Sequence, residues 1–276
     1  MVQQNAKSFS DWLVISDIDG TLNNKIRKLP ERNLNAIRHF IDDLGGNFTL
    51  ASGRSVSNMR KHYERLNLTS PAVILNGAGI YDFQNEKMLH YVSIGQKGQS
   101  IVKEVLLKFP MIEIMIVAND KNYLINSHVF APFMAGTDTL STFTFSEFDE
   151  IPKEEWGKVI FLGMPAFVSH LKKYLSRYDG KGVTFMSSSV SSFEMLEGNT
   201  NKGEGALEVA RIIGIDKQKT AAIGDYFNDY ELLKHVALPA CCGQAPRGMK
   251  EIAKLVTCHC NKGAVADLLE YIEQNY

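Results

Sequence analysis

Residues 12–22 read Trp12-Leu13-Val14-Ile15-Ser16-Asp17-Ile18-Asp19-Gly20-Thr21-Leu22. The apolar run at its head, Trp12 to Ile15, has the length and composition of a buried strand. It leads into two carboxylates separated by a single residue. Alternate side chains of a strand share a face, so Asp17 and Asp19 are expected to converge beyond the strand end. Gly20 then lets the chain turn. Converging carboxylates repel one another unless a cation or a proton lies between them. Hard carboxylate oxygens at such a point suit Mg²⁺.

The elements that follow alternate in type. Pro30 suits a first helical turn, Leu34, Ile37, Ile41 and Leu44 form an apolar stripe, and Gly45-Gly46 ends it. Asn47 to Ala51 reads as a strand, Val56 to Leu66 as a helix, and Ala72 to Leu75 as a third strand. The order strand, helix, strand, helix, strand implies a parallel sheet with right-handed crossovers. Ligands of such sheets lie beyond the carboxyl ends of the strands, where Asp17, Ser52 and Asn76 all fall.

From about Ile80 the pattern changes. Ile80-Tyr81-Asp82 and Met88 to Tyr91 flank Gln84-Asn85 as a hairpin. A helix near Gln99 to Phe109, a hairpin of Met111 to Val117 with Tyr123 to Ile125, a strand at Trp156 to Leu162, a helix at Phe167 to Tyr178 and a strand at Val183 to Met186 follow. The stretch from His128 to Glu150 has no clean period. Tight turns and antiparallel strands with two helices suggest an α+β domain inserted into the first. The first pattern then returns. A helix opens at Asn201-Lys202-Gly203, a strand runs over Thr220 to Ile223, and Gly224 to Asp229 opens another helix. Val236 to Leu238 begins a strand that Pro239 places at an edge or an end. A helix at Pro246 to Lys254, a strand at Leu255 to Thr257 and a helix at Ala264 to Ile272 close the chain.

Four pieces of this pattern resemble the haloacid dehalogenase-like phosphatases: Asp17 to Leu22, Ser52-Gly53-Arg54, Lys202-Gly203, and Gly224 to Asp229. They occur in the family's order, each at an expected strand or helix end, and the insertion resembles the α+β cap of the Cof-type subgroup. The fold implied is α/β: a Rossmann-like, doubly wound parallel sheet core with an inserted α+β cap domain. The expected core is discontinuous, at 1–81 and 192–276, with the cap at 82–191.

The resemblance suggests a division of labour that the chemistry supports. Asp17 is the candidate nucleophile, forming an aspartyl-phosphate that splits one hard step into two; a structural metal ligand is the plainer alternative. Asp19 is the candidate general acid–base, and its backbone carbonyl is implied to bind the metal; otherwise it is a turn-forming residue. Lys202 at a helix start opposes the dipole, which makes sense if it faces Asp17 and a phosphate; the alternative is a solvated lysine. Ser52, Gly53, Arg54, Asn76 and Gly77 are phosphate- or substrate-binding candidates. Each has a plain turn as its alternative, or for Arg54 a pairing with a core acid. Asp225 and Asp229 lie four apart at a helix start, where acids are also good caps. By resemblance Asp225 ligates the metal, Asp229 supports the metal or Lys202 from behind, and Asn228 positions the phosphate. Two departures from the family pattern, Asn23-Asn24 after Leu22 and Cys241-Cys242-Gly243-Gln244, are not expected to touch the chemistry directly; the second is expected to alter a loop near the site.

The bulk numbers agree with such an enzyme. The chain has 276 residues, 45% apolar and 22% charged, an ordinary globular composition. A net charge of -1 removes the broad electrostatic case for nucleic acid, which needs a basic patch or stripe. No apolar stretch is long enough to span a bilayer, and the polar start, Met1 to Ser10, lacks the apolar core of a signal peptide, so a cytoplasmic location is expected. No obligate protein partner is evident. Cys241, Cys242, Cys258 and Cys260 are read either as a metal site with His259 or as free thiols, and their spacing matches no zinc pattern.

The function expected is Mg²⁺-dependent hydrolysis of a small phosphorylated metabolite, with a sugar phosphate favoured. The alternatives are a phosphomutase using the same aspartyl-phosphate and a catalytically silent ligand-binding relative.

Overall fold

The structure is a computed structural model that describes residues 8–118, 120–126, 143–187 and 189–276. The chain divides into two compact units. The first comprises Met1–Gly53, Arg60–Leu89 and Asn201–Tyr276; the second comprises Arg54–Met59 and His90–Thr200.

The first unit begins with β1 (Leu13–Ser16), fully buried, then helix α1 (Glu31–Arg38), β2 (Asn47–Leu50), helix α2 (Val56–Leu66, whose residues up to Met59 group with the second unit), β3 (Ala72–Ile74), β4 (Gly79–Asp82) and β5 (Lys87–Tyr91, whose last two residues group with the second unit). The second unit holds α3 (Gln96–Lys108), β6 (Glu113–Ala118), β7 (Lys121–Ile125), β8 (Thr144–Phe145), β9 (Trp156–Leu162), α4 (Pro165–Leu175), β10 (Val183–Ser187) and β11 (Ser192–Glu197). The chain then returns to the first unit with α5 (Lys202–Ile213), β12 (Thr220–Gly224), α6 (Tyr230–His235), β13 (Leu238–Cys241), α7 (Arg247–Ile252), β14 (Leu255–Val256) and α8 (Ala264–Asn275).

The core sheet has the order β14-β13-β12-β1-β2, and every pairing in it is parallel. From β1 the chain moves outward to β2 on one side and later to β12, β13 and β14 on the other. The direction of winding therefore reverses between β1 and β12, and such a switch point is where open α/β sheets bind ligands. Beneath it Leu13, Ile15, Ala51, Val73, Ala206, Val209, Ala222 and Leu232 form one buried cluster.

Three local features differ from the sequence reading. Strand β3 lies parallel beside the end of β2 only through the Ala51–Val73 bridge, and otherwise pairs antiparallel with β4 in a three-stranded sheet β3-β4-β5. Pro239 stands in an inner strand. Its carbonyl accepts from Lys254 N at 2.8 Å, so its missing N–H faces the side of β14, where pairing begins only at Ala240. The helix α1 continues as a π-turn over His39–Asp43. The extra residue rotates the stripe, so Ile37 and Phe40 are buried while Ile41 and Leu44 are half-buried.

The second unit is a six-stranded sheet, β10-β11-β9-β6-β7-β8, antiparallel except for β7 with β8. One face carries α3 and α4, with Val102, Val105, Leu171 and Leu175 packed on Ile114, Ile116, Val159 and Phe161. On the other face Met115, Leu124, Ile160 and Leu162 form a smaller cluster, and Lys158 pairs with Glu194 at 3.2 Å, both buried. Most of the segment without a clean period lies outside the described residues; Thr144–Phe145 and the turn Phe148–Glu150 are its described parts.

Candidate active site

Asp17 follows the last residue of β1. Its N–H donates to the Ile223 carbonyl of β12 at 3.0 Å, so the sheet ladder holds the backbone beneath its side chain. The carboxylate is buried at 5% exposure. Its Oδ1 accepts from Lys202 Nζ at 2.5 Å, and the same Nζ donates to Asp229 Oδ1 at 2.6 Å. Lys202 is 1% exposed and Asp229 is 0% exposed. The position of Lys202 follows from its helix: Asn201 caps α5 by accepting from Gly203 N and Glu204 N, and Lys202 is the first helical residue.

Asp229 uses its second oxygen to accept from Asp225 N at 3.1 Å. It thus folds the turn after β12 and braces Lys202 at once. The carboxylates of Asp17, Asp225 and Asp229 each offer an oxygen within 4.8 Å of the others. Three carboxylates against one ammonium, 3 − 1, leave two negative charges. The donors are all hard oxygens, and opposite oxygens around Mg²⁺ are about 4 Å apart, so the residues fit a small divalent cation. Among the described residues this is the group of acids and thiols spaced to hold a metal, and it contains no cysteine.

Burial sets the electrostatics. It raises the Asp17 carboxyl to about 8, with Asp229 adding repulsion and Lys202 pulling the other way. Burial also raises Asp225 to about 6, again with Asp229 adding to it and a hydrogen bond from Gln244 opposing. For Lys202, burial works against the charged form, but Asp17 and Asp229 outweigh it and hold the ammonium above its ordinary value. A proton or a cation is therefore needed to relieve the carboxylates.

Asp19 sits differently from Asp17. Its side chain is exposed, and it lies outside the three-carboxylate cluster while still repelling Asp225. The chain has already left the strand here: Leu22 N donates to the Asp17 carbonyl and Asn23 N to the Ile18 carbonyl. The strict strand alternation that would bring the two side chains together therefore stops at Asp17. Gly20 makes the turn at φ +85°, and a Cβ there would lie 2.4 Å from Asp225 Oδ2.

The anion-binding candidates gather at the ends of β2 and β3. Ser52 is buried, its N–H donates to Val73 and its carbonyl accepts from Asn76 N. Gly53 packs against the Asn76 side-chain amide. Leu75 and Asn76 both have left-handed backbones, at φ 51° and 56°. Gly77, at φ +104°, passes so close to Asn201 that a Cβ would lie 2.1 Å from its carbonyl oxygen. Gly77 thus packs against the cap of α5, whose first residue is Lys202. Arg54 is 4% exposed and groups with the second unit. Asn228 is half-buried in the turn Phe227–Asp229.

Gln244 extends an expectation. Its Nε2 donates to the Gly20 carbonyl at 2.6 Å, its Oε1 accepts from Cys260 N at 3.0 Å, and it hydrogen-bonds Asp225. It therefore acts on a loop near the site, as expected of this departure, and goes beyond that expectation by reaching the metal-binding candidate Asp225. A polar side chain three residues past the end of buried strand β13 is the available signal. The four cysteines are free thiols, and burial raises that of Cys242.

A parallel sheet whose switch point carries buried acids and a lysine is a Rossmann-like core with a charged site where open α/β sheets bind ligands. Residues 14–269 match the haloacid dehalogenase-like hydrolase family, and the chain belongs to it. Among curated relatives, the 5-amino-6-(5-phospho-D-ribitylamino)uracil phosphatase YitU of Bacillus subtilis is 22% identical, covering 94% of this chain and 96% of its own. A solved haloacid dehalogenase-like hydrolase from Bacteroides thetaiotaomicron superposes with a TM-score of 0.82 at 20% identity, over 95% of this chain and 99% of that one. A subclass IIB sugar phosphatase of the same superfamily superposes with a TM-score of 0.78 at 17% identity, over 95% and 98% of the two chains.

Proposed function

We propose that this hydrolase is a Mg²⁺-dependent phosphatase that cleaves a small phosphorylated metabolite, preferably a sugar phosphate, through an aspartyl-phosphate on Asp17. The observation that carries the reading is Lys202 bridging Asp17 and Asp229 in a buried site at the switch point. The phosphatase names of full-length relatives and the sugar phosphatase neighbour support it.

In this reading Asp17 attacks phosphorus. Lys202 orients the attacking carboxylate and offsets charge on the phosphoryl oxygens. Ser52, the Gly53 amide and Asn228 hold those oxygens, with Gly77 packed against the cap of α5. Arg54 contributes to phosphate or substrate binding. Asp19, exposed and outside the cluster, protonates the leaving alcohol and then takes a proton from the water that cleaves the aspartyl-phosphate. Asp17, Asp225 and the Asp19 carbonyl would hold Mg²⁺, with Asp229 behind them; the ion supplies charge neutralisation at the phosphoryl group. We assign the choice of substrate to the inserted segment, proposed at 82–191.

The test is phosphate release from a panel of sugar phosphates, nucleotides and vitamin phosphates, with Mg²⁺ and with EDTA. Turnover of a sugar phosphate that EDTA stops and Mg²⁺ restores is the expected result. Isomerised product without free phosphate, or activity indifferent to chelation, would overturn the reading.

A further inference from the structure

The first unit carries a second concave site, away from the carboxylate cluster. It is a cavity of about 140 Å³ between α2 and the loop after Leu22. Its polar lining is Arg27, Lys61, His62, Arg65 and Asn23, its apolar lining consists of leucines, and no carboxylate lines it. One liquid water occupies roughly 30 Å³, so the space suits a compact group of several heavy atoms.

Three permanent cations beside one opening is an unusual concentration in a chain of net charge -1. Lys61 and Arg65 lie four apart on α2, which puts them on one face. Both are exposed; like charges so placed repel one another weakly, and an anion between them relieves the repulsion. Arg27 reaches the cavity from a residue with a left-handed backbone, φ 58°. That conformation is costly for a residue with a Cβ and is fixed by a tight loop in which Asn24 Oδ1 accepts from Ile26 N and Lys28 N. Asn23 and His62 close the inner wall, with 3.1 Å between Asn23 Nδ2 and His62 Nε2.

We propose that this cavity is a binding site for a small polyanion, one with two or more oxyanion groups such as a pyrophosphate, bisphosphate or polycarboxylate. Guanidinium groups bind phosphate and carboxylate alike through paired hydrogen bonds, and an ammonium adds a point charge. The volume admits such a head group. The site shares its loop with Asp17: Asn23 N donates to the Ile18 carbonyl at 2.9 Å, and Asn23 bridges Asp19. An anion held here therefore touches the loop that carries the two motif acids.

The test uses the full chain at low salt, without divalent cations, titrated with pyrophosphate and separately with citrate. Calorimetry gives affinity, and backbone amide shifts locate the ligand. At least one anion is expected to shift the amides of Asn23, Lys61, His62 and Arg65. Its affinity there is expected to fall roughly tenfold or more in Lys61→Glu/Arg65→Glu, since two charge-assisted bonds are lost. Should charge reversal disturb folding, Lys61→Gln/Arg65→Gln gives the same comparison. An anion bound only in the carboxylate site would shift Ser52, Gly53 and Lys202 instead and persist in both variants, which overturns the proposal. Absence of shifts around His62 with both anions overturns it too. Tighter binding of pyrophosphate assigns a phosphorylated ligand, and tighter binding of citrate assigns a carboxylic one.

Discussion

Lys202 holds two carboxylates while almost wholly out of water, at 2.5 and 2.6 Å. Removing a partner from such a cluster leaves uncompensated buried charge, a loss of about 3–5 kcal/mol. Lys202→Met is therefore expected to lower the stability of the folded chain by that amount, measured by urea unfolding at neutral pH without metal. Adding Asp229→Asn should restore part of it, because one of the stranded charges is then gone; a double variant less stable than the single one would contradict this account. Asp17→Asn behaves oppositely. It takes a charge from a place where burial and Asp229 already disfavour it, so metal-free stability is expected to hold or rise. Turnover should meanwhile fall by roughly 10³-fold or more, as a carboxylate nucleophile is lost. Stability and activity moving apart in this way is the mark of a residue kept for chemistry.

The elements explain how much of this was legible beforehand. Strand β1 and helix α2 declare themselves locally, the first by a short apolar run and the second by its period. The acids, Ser52 and Lys202 fall at element ends, where ligands of an open sheet collect. What escaped depends on partners distant in the chain. The brace from Gln244 reaches back to Gly20, and the π-turn after α1 rotates Phe40 inward. The tolerance of Pro239 rests on where two-residue β14 happens to begin pairing. Asp19 lies outside the carboxylate cluster because the chain turns just after Asp17, and a boundary set by the neighbour's ladder is invisible to alternation. Such a brace can be tested: Gln244→Ala is expected to weaken Mg²⁺ affinity about 10–100-fold, read as the Mg²⁺ dependence of turnover, with folding unchanged. At the β3–α5 junction, Gly77→Ala meets both a positive φ and a carbonyl 2.1 Å away, whereas Gly214→Ala meets only the φ, with open space around it. The Gly214 variant should cost about 1 kcal/mol, and the Gly77 variant clearly more, by thermal unfolding.

Over the whole molecule, opposing groups set how stability varies with pH. Asp17 and Asp225 have folded-state values raised to about 8 and about 6. Between the ordinary aspartate value near 4 and these raised values, the folded chain binds more protons than the unfolded one, so stability falls as pH rises. Lys202 is raised above its ordinary value; its contribution is present throughout this window and is lost only in strong alkali. Glu104 works the other way. A hydrogen bond from Lys108 and others from Tyr174 and Tyr178 lower it to about 2, so its contribution is present above the ordinary glutamate value and lost as pH falls toward 2. Metal-free protein is therefore expected to be most stable near about pH 4.5, with a melting temperature that declines from there toward pH 8. A divalent cation in the carboxylate cluster favours the ionised acids, so saturating Mg²⁺ should raise the melting temperature more at pH 8 than at pH 5 and flatten the decline. The measurement is a pair of melting curves across this range, one with EDTA and one with Mg²⁺. Parallel curves would mean that the ion does not bind where the three carboxylates meet.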